Sequence, residues 1–116
     1  MNAQKFHCQF LGGRPIRLSG LRPHCIPHIY CNDGFKVSVQ VGEFAYCTPR
    51  NNYGPWYKVE LGFPSEEEPL IMDYVEDPSR PTETVYGYVP LDLVMEVFDK
   101  HGGIDFNKTR HWSEEK

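Results

Sequence analysis

Asn32-Asp33-Gly34 followed by Phe35-Lys36-Val37-Ser38-Val39-Gln40-Val41 decides the fold of this chain. The first three residues are a turn signal, and the next seven alternate so that Phe35, Val37, Val39 and Val41 share one face. An extended strand with one side on a core uses that spacing. Before the turn, residues 26–31 supply an apolar arm. After the strand, Gly42 marks a bulge or bend, residues 43–47 continue, and residues 48–55 form a polar loop rich in Asn, Pro and Gly. Residues 56–63 resume the alternation, with Tyr57, Val59, Leu61 and Phe63 directed one way and Lys58 and Glu60 the other. This predicts a second strand antiparallel to the first.

Further out, Phe6-His7-Cys8-Gln9-Phe10 alternates with period two, and Gly12-Gly13 opens onto Arg14-Pro15-Ile16-Arg17-Leu18, the pattern of a hairpin with Pro15 on an edge. Residues 64–69 read as a turn, 70–75 as a short strand, 76–81 as a loop and 84–89 as a last strand. In that last strand Gly87 predicts a bulge or a close neighbour. Residues 90–101 predict a helix. Leu91, Val94, Met95 and Phe98 fall at helical spacing, Pro90 suits its first turn, Asp92 and Lys100 agree with its dipole, and Gly102-Gly103 stops it. The expected fold class is α+β: a curved, mainly antiparallel sheet of five to seven short strands with one C-terminal helix over about residues 90–101. A single domain over residues 1–116 is expected, with a polar tail that frays from about residue 107.

Composition agrees with short elements. Ten prolines and ten glycines in 116 residues break the chain too often for long helices. No apolar run approaches the about 20 residues that span a bilayer, and the first residues lack the apolar stretch of a secretory signal, so a cytoplasmic protein without a membrane partner is expected. Cys8, Cys25, Cys31 and Cys47 are then expected to be reduced, mostly buried thiols.

Charge is polarised along the chain. Residues 1–58 hold seven Lys and Arg against two carboxylates, whereas residues 59–116 hold five against fourteen. A chain so divided suits a charged partner. The basic half interleaves Arg14, Arg17 and Arg50 with aromatics including Trp56, the composition of a surface for stacking single-stranded bases. The net charge of −4 weighs against nucleic acid as the direct ligand. Between Ser65 and Glu83 in the acidic half, Glu66, Glu67, Glu68, Asp73, Glu76, Asp77 and Glu83 are opposed only by Arg80. Were residues 70–75 a strand, its two acidic turns would sit about 20 Å apart, spaced to enter a cationic channel.

Other chemistry has little support. Cys25, His28 and Cys31 have zinc-type spacing, but Pro23 and Pro27 disfavour a helix, and a strand points Cys25 and His28 to opposite sides. No serine lies in a nucleophile elbow, and Gly12-Gly13 precedes a proline-containing strand rather than a phosphate-cradling helix. No catalytic residue, metal ligand or cofactor is assigned, and the protein is expected not to be an enzyme.

Two stretches carry a resemblance. Thr48-Pro49-Arg50 and Gly54-Pro55-Trp56 run into Val59-Glu60-Leu61-Gly62-Phe63-Pro64-Ser65, and Val85-Tyr86-Gly87-Tyr88-Val89-Pro90 leads to Lys100-His101-Gly102-Gly103-Ile104. Over residues 48–104 they resemble small proteins of unassigned role encoded by bacteriophages and prophages. The resemblance implies a stoichiometric action on a host protein, such as anti-CRISPR or other anti-defence inhibition, and carries over no functional residue. The combined expectation is an accessory protein that occludes a nucleic-acid-handling host effector. Its contacts would be the carboxylates of Glu66, Glu67, Glu68, Asp73, Glu76 and Asp77 with Tyr53 and Trp56 as exposed anchors. The alternatives are a single-strand-binding module using Arg14, Arg17, Arg50 and Trp56, and a zinc-stabilised interaction domain.

Overall fold

Four strands, β1 (Ile29–Tyr30), β2 (Lys36–Gln40), β3 (Lys58–Gly62) and β4 (Val85–Pro90), pair in sequence order with every neighbour antiparallel. They belong to a computed structural model that describes residues 1–11 and 28–109. A short helix, α1 (Ala3–Phe6), and a C-terminal helix, α2 (Leu91–Lys100), complete the α+β fold. The alternation in β2 does what it predicts: Val37 and Val39 are buried and Lys36, Ser38 and Gln40 are half-buried on the other face. Opposite, Val59 and Leu61 of β3 face the same core. Tyr57 and Phe63, expected on that face, are exposed because the β3 ladder covers only Lys58–Gly62; Phe63 turns away at φ 51°.

Gly87 marks a bulge. Val59 pairs with Val89 but Leu61 pairs with Tyr86, so Gly87 and Tyr88 together oppose Glu60. Helix α2 packs on this sheet with Leu91, Val94, Met95, Val97 and Phe98 buried, each contributing about 1.5–3 kcal/mol relative to an exposed side chain. Val97 and Leu93 widen the apolar stripe and also meet the core, so α2 is covered on both flanks. Gly102 and Gly103, at φ 88° and 85°, end it as the sequence predicts.

The expected strand count exceeds the four among the described residues, and two local readings change. Residues 6–10 are helical: Asn2 caps α1 by accepting the Lys5 N–H at 2.8 Å, and the chain continues through a wider π-type turn, His7–Leu11. Phe6 and Phe10 sit on one face in either a strand or a helix, so their spacing alone did not distinguish the two. They are buried 4.9 Å apart, and Phe6 meets Phe98 at 5.6 Å. Cys8, expected inside, is exposed. Residues 70–75 are also not a strand, because Pro69–Tyr74 is a 3₁₀ helix. Glu68 caps it by accepting the Leu70 N–H at 2.8 Å, and Pro69 suits its first position. Six residues at about 2.0 Å each span about 12 Å, so the flanking acidic turns lie closer than a strand would place them.

Most of the polar tail expected to fray from about residue 107 lies outside the described residues. The Thr109 hydroxyl accepts the Tyr30 N–H at 2.9 Å, and Asp105 donates its backbone N–H to the Tyr30 carbonyl, which extends the β1 edge. The hairpin read at residues 12–18 lies outside the described residues. Among the described residues no helix is long and apolar enough to cross a membrane.

Candidate functional site

Among the described residues, two places where chemically active side chains gather bear on function. The first is where the turn after β1, the loop before the 3₁₀ helix and the end of α2 converge on His101. Its Nδ1 lies 2.6 Å from Asp33 Oδ2, and its Nε2 lies 2.7 Å from Glu68 Oε1. Phe35 stacks on the ring at 4.1 Å and an interplanar angle of 12°. Glu68 is 1% exposed and also accepts from Lys100 Nζ at 2.9 Å, while Glu66 Oε1 approaches His101 Nδ1 to 4.0 Å. Burial works against charge on His101, but the hydrogen bonds with Glu68 and Asp33 outweigh it and raise its pKa. Burial likewise opposes charge on Glu68, but the Leu70 N–H, Lys100 and His101 hold its carboxyl below the usual range.

The second place is a groove of about 330 Å³ beside the β4 bulge, lined by Tyr46, Tyr74, Glu76, Val85, Gly87 and Tyr88. Its geometry follows from the missing side chain at Gly87. A Cβ there would stand 3.2 Å from Tyr46 Cβ, so glycine lets the 42–48 loop lie against the strand. The Tyr88 N–H donates to the Tyr46 carbonyl at 2.9 Å, and Glu76 donates its N–H to the Val85 carbonyl at 3.0 Å. The Tyr46 and Tyr88 rings are 6.0 Å apart at 39°, both about two-fifths exposed. Behind them, Glu60 Oε2 accepts the Tyr46 N–H at 3.4 Å. Burial pushes the Glu60 carboxyl up; the Tyr46 N–H opposes the shift, nearby Glu76 adds to it and Arg50 offsets it. Arg50 lies over the Tyr46 ring at 5.6 Å.

These positions revise the acidic surface expected from sequence. Glu68 is an internal ion-pair partner and cannot be a docking carboxylate. Glu66 leans on His101, and Asp77 accepts from both the N–H and the hydroxyl of Ser79, which lowers its pKa. Glu83 pairs with Arg80. Glu67, Asp73 and Glu76 remain exposed, and Glu76 reaches the groove. Tyr53 is exposed as expected. Trp56 is not, at 4%: its backbone N–H donates to His7 Nε2 and its indole N–H to the Asn51 carbonyl.

That burial also removes Trp56 from the base-stacking alternative, of whose residues Arg14 and Arg17 lie outside the described part and Arg50 is engaged with Tyr46. Of the zinc-type triplet, Cys25 lies outside the described residues. Cys31 is buried, and its thiol is pushed up to about 12 by burial and the nearby Asp33 charge. Among the described residues, the donors that gather within 4.8 Å of one another are Asp33, Glu66 and His101, not His28 and Cys31.

The groove had a partial signal in the sequence. Tyr86-Gly87-Tyr88 names a bulge with an aromatic beside it, but the contact with Tyr46 joins residues far apart in the chain. The His101 cluster had none, since its partners lie 68 and 33 residues away. No protein-family model, curated protein or solved structure matches this chain.

Proposed function

We propose that this protein is a stoichiometric, non-enzymatic binding module whose groove at Tyr46, Tyr88 and Glu76, with Glu60 behind it, receives a cationic side chain of a protein partner. The observation that carries this reading is the chain's own Arg50, whose guanidinium rests 5.6 Å from the Tyr46 ring beside the half-buried Glu60. A second cation entering the groove meets the face of Tyr88 and the carboxylate of Glu76. That combination binds arginine better than either group alone. Of the acidic residues flanking the 3₁₀ helix, exposed Glu67 and Asp73 steer a basic surface toward the site more than they hold it.

Tyr88 supports the same reading from the backbone. Its φ of 56° is one that a bulky residue rarely adopts and that glycine takes without strain. An aromatic ring at such a position fits a contact role. A partner that normally holds a nucleic-acid backbone offers the required basic surface, so docking on it blocks nucleic acid. The phage-type resemblance read over residues 48–104 supports an anti-defence inhibitor, anti-CRISPR activity included.

The test is selection of a random displayed peptide library on the immobilised protein. The expected winners are arginine-bearing sequences that lose at least tenfold in affinity on Tyr88→Ala or Glu60→Gln and keep it on Glu96→Gln on the exposed face of α2. Winners without basic residues, or binding indifferent to Tyr88 and Glu60, would overturn the reading. A labelled single strand serves as the comparison, and its tight, salt-sensitive capture would favour nucleic acid as the ligand.

A further inference from the structure

We infer that His101, Asp33 and Glu66 form a binding site for one divalent transition-metal ion, with Glu68 as the carboxylate behind the imidazole. The three donor atoms already lie within 4.8 Å of one another. A tetrahedral ion with bonds of about 2.0–2.1 Å needs donors about 3.3 Å apart. Asp33 Oδ2 at 2.6 Å from Nδ1 is closer than that, and Glu66 Oε1 at 4.0 Å is farther. Both side chains are about half exposed or more, so each reaches the required distance by a movement of under about 1 Å.

The imidazole is the part that must not move, and it is held on every side. Phe35 stacks on its plane and Glu68 takes Nε2, leaving Nδ1 directed at the two more exposed carboxylates. A ligating histidine whose other nitrogen donates to a fixed carboxylate is the arrangement that orients metal-bound imidazoles. Glu68 is itself fixed by Lys100 and the Leu70 N–H.

Charge and donor type point the same way. Three carboxylates surround one ammonium and one imidazole, and the backbone at His101 closes the carboxyl end of α2, where the helix dipole favours a cation. Without metal, Nδ1 and Asp33 Oδ2 share a hydrogen bond across that place; an ion entering there takes over Nδ1 and sends any proton on it to solvent. One imidazole nitrogen with two carboxylates suits zinc, manganese or iron(II) better than calcium or magnesium, which prefer oxygen alone. The exposed side of the cluster leaves room for water to complete the coordination. Bound metal would tie the turn after β1, the 64–68 loop and the end of α2 together.

The experiment is calorimetric titration of the full chain with Zn²⁺ after chelator treatment and dialysis, compared with the Asp33→Asn/Glu66→Gln double variant. That variant keeps every cysteine and histidine, so zinc held by thiols elsewhere is unaffected by it. Wild type is expected to bind with one-to-one stoichiometry at this site, and the double variant at least tenfold more weakly. Glu68→Gln is expected to weaken binding 10- to 100-fold where circular dichroism shows it folded. Zinc affinity unchanged in the double variant, or absence of wild-type binding up to millimolar zinc, overturns the assignment.

Discussion

Tyr88 donates its backbone N–H to the Tyr46 carbonyl at 2.9 Å, and the two rings stand 6.0 Å apart, so a strand bulge and a distant loop present one aromatic pair. The pair exists because Gly87 has no side chain to hold the loop away. Backbone geometry and candidate function therefore meet at residues that can be varied separately.

Tyr88→Gly separates stability from binding. Glycine relieves about 1 kcal/mol of left-handed strain and adds about 0.5–1 kcal/mol of unfolded-state entropy, so urea unfolding is expected within about 1 kcal/mol of the parent. Affinity for an arginine-bearing peptide is expected to fall roughly thirtyfold, the loss of about 2 kcal/mol of desolvated cation–π contact. A stable variant with full affinity would remove Tyr88 from the site.

Glu60 sets a pH dependence with a definite sign. Burial raises its carboxyl above the ordinary value, so the folded protein carries an ionisation penalty above the folded pKa, and that penalty is relieved as pH falls through it. A bound cation favours the ionised form. Affinity should thus decline as pH drops through the folded pKa of Glu60, while stability contributed by this residue increases. Glu60→Gln should flatten both trends in binding and urea titrations run across the acidic range.

Glu68 should be the costliest surface-distant carboxylate to lose. Glu68→Leu leaves Lys100 and His101 without their buried partner and removes the cap of the 3₁₀ helix, and a loss of about 3 kcal/mol or more is expected in urea unfolding. Lys100→Ala, whose side chain is nearly half exposed, should cost only about 1 kcal/mol. Equal effects would mean that the His101 contact contributes little.

Thiol reactivity should differ between Cys8 and Cys31. Cys8 is exposed, whereas burial and the Asp33 charge push Cys31 up to about 12, far from thiolate at neutral pH. Iodoacetamide at pH 8 followed by peptide mass analysis should modify Cys8 in the folded protein and Cys31 only in denaturant. Rapid native labelling of Cys31 would show that the β1 edge opens.

How much could be read in advance varied with the range of the interaction. The β2 and β3 alternation, the Gly87 bulge and the glycine stop after α2 were legible because each depends on neighbours within a few residues. Phe6 and Phe10 were ambiguous because a spacing of four satisfies both helix and strand, and the cap at Asn2 that decides for the helix was not read from the sequence. At Glu68-Pro69 a cap followed by proline marked a helical turn, but the run of apolar residues behind it read as a strand. Trp56 looked available only because nothing local shows that His7 and Asn51 enclose it.

From its residue order alone this protein was committed to an antiparallel sheet with a carboxyl-terminal helix, since side-chain periodicity and backbone preference act over one or two turns. Tertiary structure decided which acids face solvent, which aromatics can meet a partner, and that His101 lies between Asp33 and Glu68. Those outcomes depend on contacts between segments tens of residues apart, whose burial and charge are set only when the sheet, the 3₁₀ helix and α2 close on one another.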